Sequence, residues 1–162
     1  MLASLAANIR LCESEYTALT ESPMDKINIA EKFSRFSEHY RPHIAAELNG
    51  QYVKLVKFKG DFVFHHHDHE DEMFLVVKGR FRMEFRNNEF RDHDFVGNES
   101  RNDEFGNRHE WIEEGEFIVV PRGVEHRPVA ERECWVVLFE PASTLNTGNI
   151  VNERTVAELE RV

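Results

Sequence analysis

The sequence is poor in features that each mark a class of proteins. It has no apolar run near the roughly 20 residues that a membrane-spanning helix requires, so no membrane span is predicted. Basic residues are outnumbered, with 20 Lys and Arg against 30 Asp and Glu and a formal net charge of −10. Nucleic acids and anionic membrane surfaces bind clusters of Lys and Arg, so this balance argues against both as partners.

Cysteine is scarce as well. Cys12 and Cys134 are the only two, and two isolated cysteines are typical of reduced thiols in a cytoplasmic protein. The N-terminal apolar stretch is interrupted by Asn8 and Arg10 and follows no basic residue, so it does not resemble a signal peptide. We therefore expect a cytoplasmic protein.

Its 162 residues suffice for one domain that buries roughly 70% of its unfolded surface.

Both ends of the chain have helical patterns. Apolar residues recur at helical spacing through residues 1–22, and Ser22-Pro23 would end that helix, because the residue before a proline avoids the helical region. We therefore divide the chain into an N-terminal helical extension, residues 1–23, and a main domain, residues 24–162. Residues 153–162 predict a short C-terminal helix with three apolar residues on one face.

The middle of the chain predicts short β-strands. Runs of β-branched and aromatic residues are separated by Gly, Pro, Asn or Asp, and Asn49-Gly50 is a strong signal for a hairpin turn. The predicted strands are 52–58, 62–67, 73–77, 81–85, 111–112, 117–120 and 134–139. Short strands without alternating helices predict an all-β sandwich or barrel. Residues 87–108 interrupt this pattern as a polar insertion loop, which is either solvated without a role or a lid over a pocket.

Two histidine-bearing segments carry the chemistry. In the first, His65 and His67 lie two positions apart in a predicted strand and face the same side, and a hairpin could place Glu72 beside them. In the second, a Pro-x-Gly turn would direct His126 off the end of a strand. Neutral imidazoles with one carboxylate suit Zn, Fe, Mn, Ni, Co or Cu and are too rich in nitrogen for Ca or Mg. Taken without the second segment, residues 65–69 are equally consistent with a solvated turn that takes up metal loosely.

Together the two segments resemble the motifs of the cupin superfamily over roughly residues 27–141. The first motif is matched by Gly60, His65-x-His67, Glu72 and Gly79. The gaps between them are four, four and six residues, and the first gap is one residue shorter than in the family motif. The second motif is matched by Gly115, Pro121-x-Gly123 and His126, and it ends on Ala130 where the family motif has Asn.

The resemblance implies a fold and a ligand set. The fold is a double-stranded β-helix, the small all-β jelly-roll barrel of cupins, here with the N-terminal helical extension and the short C-terminal helix. The ligand set implied for a divalent transition metal is His65, His67, Glu72 and His126. His66 and His69 match no ligand position, so we expect His66 to point outward and His69 to lie in a solvated turn.

An apolar pocket beside the metal is predicted from strand alternation. One face of each strand lines the interior of a small barrel, and the apolar face of residues 81–85 is the better candidate. The predicted lining is Val63, Phe74, Val76, Phe81, Met83 and Phe85. A narrow apolar pocket with one polar end is the usual form of a small-molecule site, so the predicted partner is a small organic ligand or substrate.

Three functions are open on the sequence alone. The first is a metal-dependent enzyme of dioxygenase or isomerase type, the classes that the cupin resemblance implies, acting on a small organic molecule. The second is a non-catalytic module that binds or senses a small molecule or sugar through the metal. The third is a metal that only stabilises the barrel. Cupins often pair and open sheet edges favour pairing, so we also predict a homodimer.

Overall fold

The computed structural model describes residues 25–86, 101–102 and 108–162. The predicted N-terminal helical extension, residues 1–23, and most of the insertion loop lie outside these residues. The described part is an antiparallel sheet with almost no helix, folded as the predicted jelly-roll barrel. Within it, no helix is long and apolar enough to cross a membrane.

The described chain forms one short helix and eight strands. The helix α1 spans Ile29–Phe33, capped by the side chain of Asn28. The strands are β1 His43–Leu48, β2 Gln51–Asp61, β3 Glu72–Lys78, β4 Arg80–Phe85, β5 Arg101–Asn102, β6 Arg108–Glu113, β7 Phe117–Val120 and β8 His126–Pro141. The main path of the sheet is β1-β2-β8-β4-β6-β5, and β3 pairs with both β7 and β8.

Strand β8 joins the two halves of the barrel. Along one edge, its first residues pair with β4 and its last residues pair with β3. Along the other edge it pairs with β2. Alternate residues of β8 face the interior, where Val136 and Leu138 pack with Phe58 and Phe74 in the main hydrophobic core. On the outer face, Phe33 of α1 stacks on the ring of Trp135, with 4.9 Å between ring centroids. The short helix therefore covers the outside of the barrel, and the interior is left for the core and the site.

Two predictions about local structure have opposite outcomes. Asn49-Gly50 connects β1 to β2 as predicted, and both residues have the positive φ, 52° and 75°, that a tight hairpin turn requires. The predicted strand at 62–67 is wrong, because β2 ends at Asp61 and only His65 forms an isolated bridge beyond it. The chain leaves the sheet there, and the loop that follows carries the two histidines.

The predicted C-terminal helix at residues 153–162 is also wrong. The end of the chain forms a bridge to β1 instead: Ile44 N donates to the carbonyl of Glu160 at 2.8 Å, and Val162 N donates to the carbonyl of Ile44 at 3.1 Å. A helix of about ten residues is marginal without tertiary support. The tail gains more by pairing its backbone with the open edge of β1.

Candidate metal centre

Three different parts of the fold supply the four chemically notable side chains. His65 and His67 lie in the loop between β2 and β3, Glu72 is the first residue of β3, and His126 is the first residue of β8. One ligand atom from each residue lies within 4.8 Å of those of the other three. All four side chains are buried, at 1% to 5% exposure. The structure thus brings together the predicted ligand set in the interior of the barrel.

The backbone fixes two of these histidines against each other. His65 N donates to the carbonyl of His126 at 3.0 Å, and His126 N donates to the carbonyl of His65 at 2.9 Å. Their Nδ1 atoms lie 3.0 Å from the carbonyl of Val63 and 2.8 Å from the carbonyl of Val124. A carbonyl only accepts, so each Nδ1 carries the proton and the neutral ring presents Nε2 as a free lone pair. That is the form in which imidazole binds a metal ion.

The atoms at the centre of the cluster have no hydrogen-bond partner within the described residues. They are Nε2 of His67, Nε2 of His126 and Oε2 of Glu72, all buried. The two Nε2 atoms lie 3.2 Å and 3.7 Å from Oε2 of Glu72. Each buried polar atom left unpaired costs about 1–3 kcal/mol. A cation among them would satisfy all three at once, so the donor set fits a divalent transition metal ion.

The charge states of the cluster suit the same role. Burial, and then the nearby His126, lower the pKa of His65 to about 4, so its ring is neutral at neutral pH. Burial raises the pKa of Glu72, but the imidazoles of His126 and His67 outweigh burial and hold the pKa below its ordinary value. The site therefore combines a neutral imidazole at His65 with an ionised carboxylate at Glu72.

The other two histidines of the first segment take no part in this cluster. The ring of His66 is turned away, with Nε2 at 3.1 Å from Oδ1 of Asp68 on the surface. His69 is exposed. Both placements agree with the prediction that His66 points outward and His69 lies in a solvated turn.

An apolar cavity adjoins the cluster. It is small, with about 30 Å³ of space that water can occupy, it is partly open to solvent, and both His65 and Glu72 reach its wall. The other lining residues are Tyr40, Pro42, Val56, Phe58, Phe62, Phe74, Pro128, Leu138 and Asn146. The ring of Tyr40 stacks between those of Phe58 and Phe62, with centroids 5.0 Å and 4.8 Å apart. A small molecule in this cavity would meet aromatic carbon on one side and the cluster on the other.

The predicted pocket residues are distributed differently. Phe74 lines the cavity, and Val63 lies half-buried outside its wall. The other four, which are Val76, Phe81, Met83 and Phe85, are packed in the hydrophobic core. Strand alternation correctly places these four inside the barrel, but it does not give their position along the barrel axis. The cavity lies between β2, β3, β8 and the segment before β1.

Comparisons with known proteins agree with the fold and the cluster. The cupin family profile matches residues 44–159, more than half of the chain. The chain belongs to the cupin family.

This cupin is similar to proteins of known structure and to a protein known by its sequence. A cupin-2 domain protein from Shewanella frigidimarina is 36% identical, over 71% of this chain and 93% of its own, with a TM-score of 0.57. Hydroquinone 1,2-dioxygenase from Sphingomonas sp. TTNP3, in complex with 4-nitrophenol, has the same TM-score at 14% identity, over 74% of this chain and 33% of its own, which shows a shared fold only. The uncharacterized protein YdbB of Bacillus subtilis is 33% identical over 61 residues, 38% of this chain. This cupin spans about half of that relative, 48% of its length.

A segment near the C-terminus of this cupin holds the histidine loop in place, and the sequence did not reveal it. Asn149 N donates to the carbonyl of His66 at 3.0 Å, and its side-chain oxygen accepts from His66 N at 3.0 Å. Gly148 packs directly against the same backbone. Across the loop, Gly123 N donates to the carbonyl of His67 at 2.7 Å. The two imidazoles are thereby fixed from both sides, although the loop itself is not a strand.

Proposed function

We propose that this cupin is a metal-dependent enzyme that acts on a small organic molecule. His65, His67, Glu72 and His126 would hold a divalent metal ion of the set Fe, Mn, Zn, Ni, Co or Cu. The observation that carries the proposal is that unpartnered buried ligand atoms border an apolar cavity, with His65 and Glu72 belonging to both. A site built only to stabilise the barrel would have no use for the cavity.

The ligand set determines what chemistry is available. Four protein ligands leave about two positions of a six-coordinate ion for other groups. A bound divalent ion supplies Lewis-acid activation of a substrate oxygen atom. The chain's own contribution is to keep His65 and His126 in the metal-binding tautomer and to keep Glu72 ionised.

The cavity would orient the substrate. The stacked rings of Tyr40, Phe58 and Phe62 offer a flat apolar surface and exclude water, which strengthens electrostatic interactions at the cluster. The hydroxyl of Tyr40 donates to the carbonyl of Gly60, and burial raises the pKa of Tyr40 above its ordinary value. Tyr40 therefore serves as part of the wall.

Dioxygenase and isomerase are the two reaction classes that we propose. The fold shared with a hydroquinone 1,2-dioxygenase makes small phenols the first substrates to test for oxygen uptake. Small hydroxyketones and sugars are the substrates that test the isomerase class. Their turnover is monitored as exchange of substrate protons with heavy water. Each assay is run on protein loaded in turn with Fe²⁺, Mn²⁺, Zn²⁺, Ni²⁺, Co²⁺ and Cu²⁺.

Two variants give the controls. His126→Ala removes a cluster residue, whereas His69→Ala removes an exposed histidine of the same loop. We expect turnover with wild type and His69→Ala and none with His126→Ala. Ligand-induced thermal shifts without turnover under every metal would contradict an enzyme and support a metal-dependent binding or sensing module.

A further inference from the structure

A buried charge pair lies in the interior of the barrel beside Glu72. Lys54 and Glu140 are 0% and 1% exposed, so both are removed from solvent. Lys54 Nζ lies 2.7 Å from Oε1 of Glu140 and donates to the carbonyl of Thr144 at 3.1 Å. Neither residue lines the cavity, and neither belongs to the cluster of ligand atoms.

The sheet register places this pair next to Glu72. Strand β8 lies between β2 and β3, and Met73 of β3 is opposite Phe139 of β8. Glu72 and Glu140 are the next positions along these two antiparallel strands. Glu140 shares the inward face of β8 with Leu138, which is itself opposite Lys54 of β2. Opposite residues on one face of an antiparallel strand pair have Cβ atoms about 4.5–5.5 Å apart, so the carboxyl groups of Glu72 and Glu140 are neighbours.

Stability does not explain a charge pair at this depth. Two charges removed from water carry a large desolvation cost, and well-packed apolar side chains of similar size are often as stabilising or more so. The neighbouring interior positions of the same strands, Val56 and Leu138, are apolar. The pair also lies beside the one carboxylate of the metal cluster, where groups that orient a ligand are expected.

We propose that Glu140 and Lys54 are positioning residues for Glu72. Lys54 fixes the side chain of Glu140, and Glu140 restricts the carboxylate of Glu72 to the orientation that faces Nε2 of His67 and His126. The inference rests on the proposed metal site. It adds a layer of residues that set the metal affinity without touching the metal.

The test compares Zn²⁺ affinity, measured by calorimetry, with melting temperature in chelator. Glu140→Leu removes the polar contact, whereas Glu140→Gln keeps the shape and a polar end beside Glu72. We expect Glu140→Leu to weaken Zn²⁺ binding by about 10- to 100-fold and Glu140→Gln to restore most of the affinity, because loss of groups that orient ligands has effects of this size. Lys57→Met is the matched control, since Lys57 is also buried in β2 but donates to the carbonyl of Phe36 on the outer side.

The double variant Lys54→Met/Glu140→Leu separates positioning from stability. It removes both charges, so no buried charge is left unpaired and the barrel folds. We expect its melting temperature in chelator to equal or exceed that of wild type while Zn²⁺ affinity stays about 10- to 100-fold weaker. Wild-type affinity in the folded double variant overturns the inference. Absence of Zn²⁺ binding by wild type overturns the proposed metal site instead, so the two failures are distinguishable.

Discussion

Replacing Gly148 by Ala tests how the histidine loop is held. A Cβ at this position would lie well inside the van der Waals contact distance of the carbonyl oxygen of His66 and 3.2 Å from Cδ2 of His65. The φ angle of 51° adds a cost of about 1–2 kcal/mol for a residue with a side chain. Overpacking against fixed backbone adds about 1–3 kcal/mol. Together these give a loss of about 2–5 kcal/mol, or about 4–20 °C in melting temperature at this chain length.

Gly115→Ala provides the matched control. Gly115 has a φ of 85°, but no atom lies within 4 Å of a Cβ built there, so only the cost of its conformation applies. Thermal unfolding compares the stability of the two variants, and Zn²⁺ titration compares their metal affinity. We expect Gly148→Ala to lose more stability than Gly115→Ala and also to lose metal affinity, because it displaces the backbone between His65 and His67. Equal effects of the two substitutions on both measurements would refute the account of the loop.

Three further predictions concern stability, the core and assembly. The pKa of His65 is about 4 in the folded protein against 6.5 for a free side chain, so the unfolded chain binds more protons between these values. Metal-free protein should therefore lose stability as pH falls from 6.5 towards 4, by up to about 1.4 kcal/mol per pH unit, and urea unfolding that is flat over this range would contradict the burial of a neutral ring. Phe81→Ala should lower the free energy of unfolding by about 3–5 kcal/mol and leave the affinity for any ligand of the cavity unchanged, and a loss of ligand affinity without a loss of stability would place Phe81 in the pocket. Light scattering at micromolar concentration tests the predicted homodimer, and a monomer mass would exclude it.

Local signals in the sequence predict an all-β sandwich or barrel, and the resemblance to the cupin motifs predicts that the four cluster residues meet. Glycines, a proline and the histidines recur at spacings that set turns at the ends of strands, and the β-branched and aromatic runs between them favour strands. His65 and His67 share a site as predicted, but not because they alternate in a strand. Backbone hydrogen bonds to His126, Gly123 and Asn149 hold them there, and contacts so distant along the chain leave no pattern in a single sequence.

Other features depend on register and depth, which periodicity does not encode. The apolar spacing of residues 153–162 fits a helix as well as it fits an extended tail packed on β1. The bridge to Ile44 selects the extended tail. Phe81 and Met83 face inward as alternation predicts, yet they lie at the level of the core and not of the cavity. Lys54 and Glu140 carry charge, so a sequence pattern assigns them to the surface, although both are fully buried.

Metal content is the most direct test of the central claim. The untagged protein, its His126→Ala variant and its His69→Ala variant are purified identically, and metal is quantified by mass spectrometry. The account predicts a single tightly bound divalent transition metal ion per chain in wild type and His69→Ala, and its loss in His126→Ala, because His126 is the member of the cluster that the second motif contributes. Metal that is absent from wild type, or retained in full by His126→Ala, would contradict a site built from both segments.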